Sequence, residues 1–163
     1  MHVLTSSLFL PTYAAALQPT SFALLLKTYL VSSLLWWVAR GRPTLPIRDF
    51  YCNTSAPAPE HESPASSATD TNDPWHPVIH DTIAHPDDHL CKVQRALLRF
   101  ASAYGSRQAG TLAAGADAEP SIDGQELVDG TIFWRVSQLT AGNFGDKDGV
   151  PDGTWDLRGF FPA

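Results

Sequence analysis

Hydrophobic positions along this chain gather into three stretches, and each has the spacing of a helix. The first runs from Phe22 to Arg40, with Thr20 or Ser21 placed to cap it and Gly41 and Pro43 placed to stop it. Its apolar residues, Leu24 to Leu26, Tyr29 to Val31 and Leu34 to Val38, surround the axis instead of forming one stripe. A helix apolar on all sides is either a buried core helix or a membrane span. Lys27 cuts the run short of the roughly 18 apolar residues of a span. Ser32 and Ser33 sit within it, and Trp36 and Trp37 mark one end only. A core helix is therefore expected, and a membrane partner is not.

The second stretch, Asp73 to Gly105, begins with Asp73 as N-cap and Pro74 at the first helical position. Trp75, Val78, Ile79 and Ile83 give a short amphipathic helix. The pattern restarts at His85-Pro86-Asp87-Asp88, where acidic side chains suit the positive end of a new helix dipole. Leu90, Val93, Leu97, Phe100, Ala101 and Tyr104 then share a face, and Gly105 ends it. The spacing predicts a helix–kink–helix. In the third stretch Ser121-Ile122-Asp123 can open a helix, and Val128, Ile132, Val136 and Leu139 share a face across Gln125 to Thr140, with Gly130 weakening its centre.

Between these lie flexible linkers. Residues 53–72 are rich in Pro, Ser, Ala and Thr, without Lys or Arg, and residues 105–120 are rich in Ala and Gly. Neither holds enough large apolar side chains to offset its ordering entropy. Strand-like alternation is scarce. The expected fold is all-α, about four helices joined by long low-complexity linkers.

The totals sharpen this picture. At 163 residues and 44% hydrophobic composition the chain can bury a core, yet only 17% is charged, against a usual value of about 25%. With a net charge of −6 and no concentration of Lys and Arg, a nucleic-acid partner is not expected. Cys52 and Cys91 lack CxxC spacing and read as reduced thiols, so an intracellular, cytoplasmic setting is expected. The apolar start, with Ala14 to Ala16, hints at a signal peptide. It has no basic n-region, and Pro11 breaks the apolar run, so secretion is not expected.

Candidate chemistry concentrates in the second stretch, which holds His76, His80, His85 and His89. Histidines four apart on a helix can share a metal. The first pair lacks the glutamate of HExxH and the second straddles Pro86, so ordinary surface histidines are the better reading and no metal is expected. His89 falls at the border of the apolar face, where an imidazole with a pKa near ~6.5 can serve as general acid or base. Asp81 and Asp88 are candidate orienting carboxylates. Lys92, Arg95 and Arg99 form a basic ridge, either a solvated surface with an Asp88–Lys92 pair or a cationic wall for an anion. Asp146, Asp148 and Asp152 miss the calcium-loop register. GxGxxG, GxxxxGK[ST] and GxSxG are all missing.

Four strings occur in order: TSSLFLP (Thr5 to Pro11), LLLKTYLVSSLLWWVARGRP (Leu24 to Pro43), HPDDHLCKVQRAL (His85 to Leu97) and WDLRGFF (Trp155 to Phe161). Together they resemble the fungal questin oxidase-like family. The resemblance implies an oxidoreductase of secondary metabolism that uses NADPH and dioxygen in a Baeyer–Villiger-type oxidation of an aromatic polyketide, anthraquinone-like in kind. Family members are longer and carry these strings in their C-terminal part. Residues 1–163 are thus expected to be the C-terminal portion of such a domain, with a missing N-terminal half or another chain covering the helix from Phe22 to Val38. Trp37, Arg40, Arg42, His89, Lys92, Arg95, Trp155 and Phe160 carry over by position. Of these, His89 beside Asp88 is the expected proton-transfer pair, and Lys92, Arg95 and Arg40 the expected contacts of the anionic cofactor. The rival readings are a non-catalytic helical remnant that pairs with another chain, and a small membrane-anchored protein.

Overall fold

A computed structural model describes residues 2–57, 73–111, 122–144, 146–147, 150–151, 155 and 160–161. The chain divides into two units, Met1–Leu45 with Trp155–Ala163, and Pro46–Thr154. The fold is all-α. Four helices are long: α3 (Pro19–Ala39), α5 (Trp75–Ala84), α6 (Asp88–Tyr104) and α7 (Ile132–Asn143). Three short ones, α1 (His2–Ser6), α2 (Leu10–Ala16) and α4 (Ile47–Asn53), have too few turns to show a stripe in the sequence. A two-residue antiparallel pair, β1 (Asp146–Lys147) and β2 (Val150–Pro151), lies in the Gly/Asp-rich loop, with Asp146 opposite Pro151. Of the expected linkers, residues 58–72 and 112–120 lie outside the described residues, as do Ser121, Asp148 and Asp152.

In the first unit α3 begins at Pro19, one or two residues before the expected caps, because proline at the first helical position supplies the helical φ and needs no N–H partner. Gly41 (φ 94°) and Arg42 (φ 50°) close the other end, donating to the carbonyls of Val38 and Trp37 at 3.0 and 3.1 Å. The turn admits only glycine at 41. A Cβ there would stand 2.8 Å from the backbone of Phe160, whose N–H donates to the Arg40 carbonyl at 2.7 Å. The Tyr29 hydroxyl donates to the Val3 carbonyl and lies 3.3 Å from Ser6 Oγ, which ties α1 to α3. The expectation of a core helix is not met, since α3 contributes no buried residue and Leu24, Leu35 and Trp36 are more than 60% exposed. Periodicity registers that a helix is apolar all round, but not what covers it.

The second unit holds the core. Val78 of α5, Leu90, Val93, Ala96 and Leu97 of α6, and Phe144 after α7 pack together, joined by Val128. The kink between α5 and α6 falls as expected, with His85 extended at the C-cap and Asp87 the N-cap of α6. Across α6 and α7 the closest fit is polar: Gln94 and Ser137 are both fully buried. Gln94 Nε2 donates to the Ser137 carbonyl at 3.0 Å, and Ser137 Oγ donates to Gln94 Oε1 at 2.7 Å. Each satisfies the other, so neither carries the desolvation cost of an unmade hydrogen bond.

The third helix departs from its expected span. Residues 125–127 form a single 3₁₀ turn, Val128 is extended, and α7 starts only at Ile132. Val128 is therefore buried outside the helical register, and Leu139, expected on the buried face, is 52% exposed. Gly130 marks a backbone crossing, where a Cβ would meet the Gly105 carbonyl oxygen at 2.1 Å. Replacing Gly130 with alanine forces two backbones apart and is expected to cost more than about 2 kcal/mol. Gln94→Leu strands the Ser137 hydroxyl in the core at about 1–3 kcal/mol, and adding Ser137→Ala recovers part of that loss. Urea unfolding followed by tryptophan fluorescence checks both. Equal midpoints for single and double variants would contradict the paired hydrogen bonds.

Candidate functional site

The start of α6 gathers the expected chemistry. Asp87 Oδ1 accepts from the N–H groups of His89 and Leu90 at 2.7 and 3.0 Å, an N-cap that fixes the first turn. His89 is thereby set with Nδ1 3.1 Å from Asp88 Oδ1 and 3.6 Å from Asp87 Oδ1, its side chain 40% exposed. Lys92, one turn on, donates to Asp88 Oδ2. That hydrogen bond holds the Asp88 carboxyl below its ordinary range, with the Lys92 and His89 charges adding in the same direction. Asp88, His89 and Lys92 thus meet in one cluster.

Arg95 and Arg99 are exposed further along α6, and Arg40 belongs to the first unit, at the C-cap of α3. Donor atoms of Asp87, Asp88 and His89 lie within 4.8 Å of one another. One Asp87 oxygen is committed to the cap and one Asp88 oxygen to Lys92, the geometry of a capped helix start with an ion pair. His76 and His80 are exposed on α5, where His80 Nδ1 lies 3.4 Å from Asp81 Oδ1. His85 is part of the kink itself. Its Nδ1 accepts from the Asp87 N–H at 3.0 Å, its ring stands edge-on to Phe144 at 5.9 Å, and its buried Nε2 has no hydrogen-bond partner.

A second feature of this unit was not legible in the sequence. Where the end of α6 meets the start of α7, a cleft of about 290 Å³ is lined by Tyr104, Arg107, Val128, Asp129, Ile132 and Phe133, together with Thr111 and Gly130. Tyr104 and Phe133 belong to an aromatic group with Phe100, ring centroids 5.8–6.4 Å apart. Asp129 is held firmly. Its Oδ1 accepts from the Thr131 N–H (2.9 Å), the Thr131 hydroxyl (2.5 Å) and the Tyr51 hydroxyl (3.3 Å), while its N–H donates to the Tyr51 oxygen at 3.0 Å.

Arg135 lies 4.6 Å over the Tyr51 ring and donates to the Tyr51 carbonyl, to both Thr54 oxygens and to the Thr131 hydroxyl. Burial, first of all, and then the Asp129 charge raise the Tyr51 phenol pKa above its ordinary value, against the lowering pull of the Asp129 N–H and the Arg135 cation. The Asp-x-Thr spacing of Asp129 and Thr131 is the one sequence signal that could have placed the start of α7 here.

Fold and geometry define a helical protein whose titratable side chains converge at one helix start, with a separate apolar cleft nearby in sequence terms at residues 104–133. The chain belongs to the Questin oxidase-like family, whose model matches residues 1–97, more than half of its length. The class that comes with membership is oxidoreductase. The match contains Arg40, Asp88, His89, Lys92 and Arg95. It leaves Trp155, Phe160 and the cleft outside. No curated protein and no solved structure matches the chain.

The Asp88–Lys92 pair sets a pH dependence of definite sign. A carboxyl whose folded pKa is depressed stabilises the fold above its unfolded pKa, and that contribution is lost as pH falls through the lower folded value. A carboxyl-detected NMR titration is expected to place Asp88 below the ordinary value of about 3.9. Lys92→Gln is expected to move it back upward. An unchanged midpoint in that variant would show that Lys92 is not the cause.

Proposed function

We propose that this protein catalyses, or forms part of a protein that catalyses, a Baeyer–Villiger-type oxidation of an aromatic polyketide of the anthraquinone kind, in secondary metabolism and in the cytoplasm. The observation that carries the reading is the family match through α3 and the first half of α6, the segment in which the histidine cluster lies. In such a reaction one atom of dioxygen enters the bond between a carbonyl carbon and its neighbour. The other leaves as water, with NADPH supplying two electrons.

The chain's own groups have roles that follow from their chemistry. His89, half-exposed and with Nδ1 3.1 Å from Asp88 Oδ1, is placed to pass a proton between that carboxylate and a bound substrate. Lys92 and Arg95, less than one turn apart on the same helix, supply positive charge for the phosphates of the dinucleotide. The uncovered surface of α3 supports a further element of this reading, a polypeptide partner that packs on it. The same surface favours the alternative of a non-catalytic helical protein acting through that partner.

The two readings part in one assay. With a hydroxyanthraquinone present, the purified protein is expected to consume NADPH and dioxygen one for one, and His89→Ala to lower turnover by about 10²-fold or more. Absence of substrate-dependent consumption favours the non-catalytic reading. Full turnover by His89→Ala assigns proton transfer to another group.

A further inference from the structure

We propose that the cleft between the end of α6 and the start of α7 is a binding site for a small flat aromatic anion that carries a hydroxyl beside its acidic group. The site lies outside the residues matched by the family and stands without the oxidase reading. Three features of the cleft select this ligand.

The first is shape and polarity. At about 290 Å³ the cleft is at the small end of ligand pockets, and Tyr104, Val128, Ile132 and Phe133 make its walls apolar. The rings of Tyr104, Phe133 and Phe100 are tilted by only 22–36° to one another, an arrangement into which a further flat ring can stack.

The second is Arg107. Its guanidinium lies 5.1 Å over the Tyr104 ring, and its side chain makes no ion pair or hydrogen bond with the described residues. The other two arginines of this unit's α4–α7 junction are occupied: Arg48 holds Asp123 and Glu126, and Arg135 holds Thr54 and Thr131. A guanidinium stacked on a ring keeps its in-plane N–H donors for a planar anion.

The third is Asp129, in the wall of the same cleft without pairing with Arg107. Its Oδ1 takes all three of its side-chain hydrogen bonds, from the Thr131 N–H, the Thr131 hydroxyl and Tyr51. Oδ2 is left as a fixed acceptor. A ligand that gives an ionised acid to Arg107 and a neighbouring O–H to Asp129 satisfies both at once, and the apolar walls take its ring.

The test is equilibrium binding of 3-hydroxy-2-naphthoate to the full chain, followed by ligand fluorescence, with the uncharged 3-hydroxy-2-naphthamide as control. Tighter binding of the anion is expected. Arg107→Gln is expected to weaken the anion by about tenfold or more and leave the amide nearly unchanged, while Arg107→Lys restores part of the loss. Arg107 is exposed and its side chain makes no ion pair or hydrogen bond with the described residues, so circular dichroism and the urea midpoint should not move. Tyr104→Leu is expected to weaken both ligands through the lost stacking. Equal affinity for anion and amide, no binding of either at millimolar concentration, or wild-type affinity in Arg107→Gln would each overturn the proposal. Because nothing is turned over, failure of the oxidase reading leaves this result untouched, and the reverse holds as well.

Discussion

Two polar side chains, Gln94 and Ser137, hold the second unit together at the point where apolar packing would be the ordinary solution. Their reciprocal hydrogen bonds are directional, so they fix the rotation of α7 against α6 as well as the distance between them. A purely apolar seam tolerates a helix slipping or rolling to repack; a buried amide that has one partner does not. At one end of the helix pair α6 presents His89 beside Asp88, and at the other Tyr104 faces Phe133 across the cleft. Only the second of these depends on the register that Gln94 sets, since Tyr104 and Phe133 sit on different helices.

The long helices were legible because their cues are local. Aspartate and proline at 73–74, one position ahead of the observed cap at Pro74 and start at Trp75, the acidic pair at 87–88 and glycine at 105 are punctuation that works without knowledge of the rest of the fold. The cluster of Asp88, His89 and Lys92 was legible for the same reason, being spread over little more than one helical turn. What was not legible is everything that depends on residues far apart in sequence. Gln94 looked like one polar position among others on α6 until Ser137, 43 residues later, supplied its partner. Tyr51, Asp129 and Arg135 form a network separated by 78 and 84 residues, and nothing in local periodicity marks them. Gly130 read as a weakness in a helix because the backbone it passes, at Gly105, is distant in the chain.

The apolar helix α3 is the instructive misreading. Its composition suits a dry environment, and a core was the natural place to expect it, yet none of its residues is buried. The helix meets some of that demand internally, since the hydroxyls of Thr28 and Ser33 return to carbonyls four residues back at 2.9 and 2.8 Å. The half-buried positions Phe22, Leu25, Tyr29 and Ser33 recur at helical spacing, which is the trace of one covered face. Family membership gives the class, oxidoreductase, and local geometry shows which side chains stand together. Neither substitutes for the other.

Asp129 has a consequence that reaches past its own loop. One carboxylate oxygen and one N–H fasten Tyr51 of α4, hold Thr131 at the entry to α7 and stiffen the wall of a cleft. Two segments 78 residues apart in the chain share a single fastening, and their backbone amides should therefore open together. Hydrogen exchange would register α4, residues 128–131 and the start of α7 as one cooperative unit with a common opening free energy.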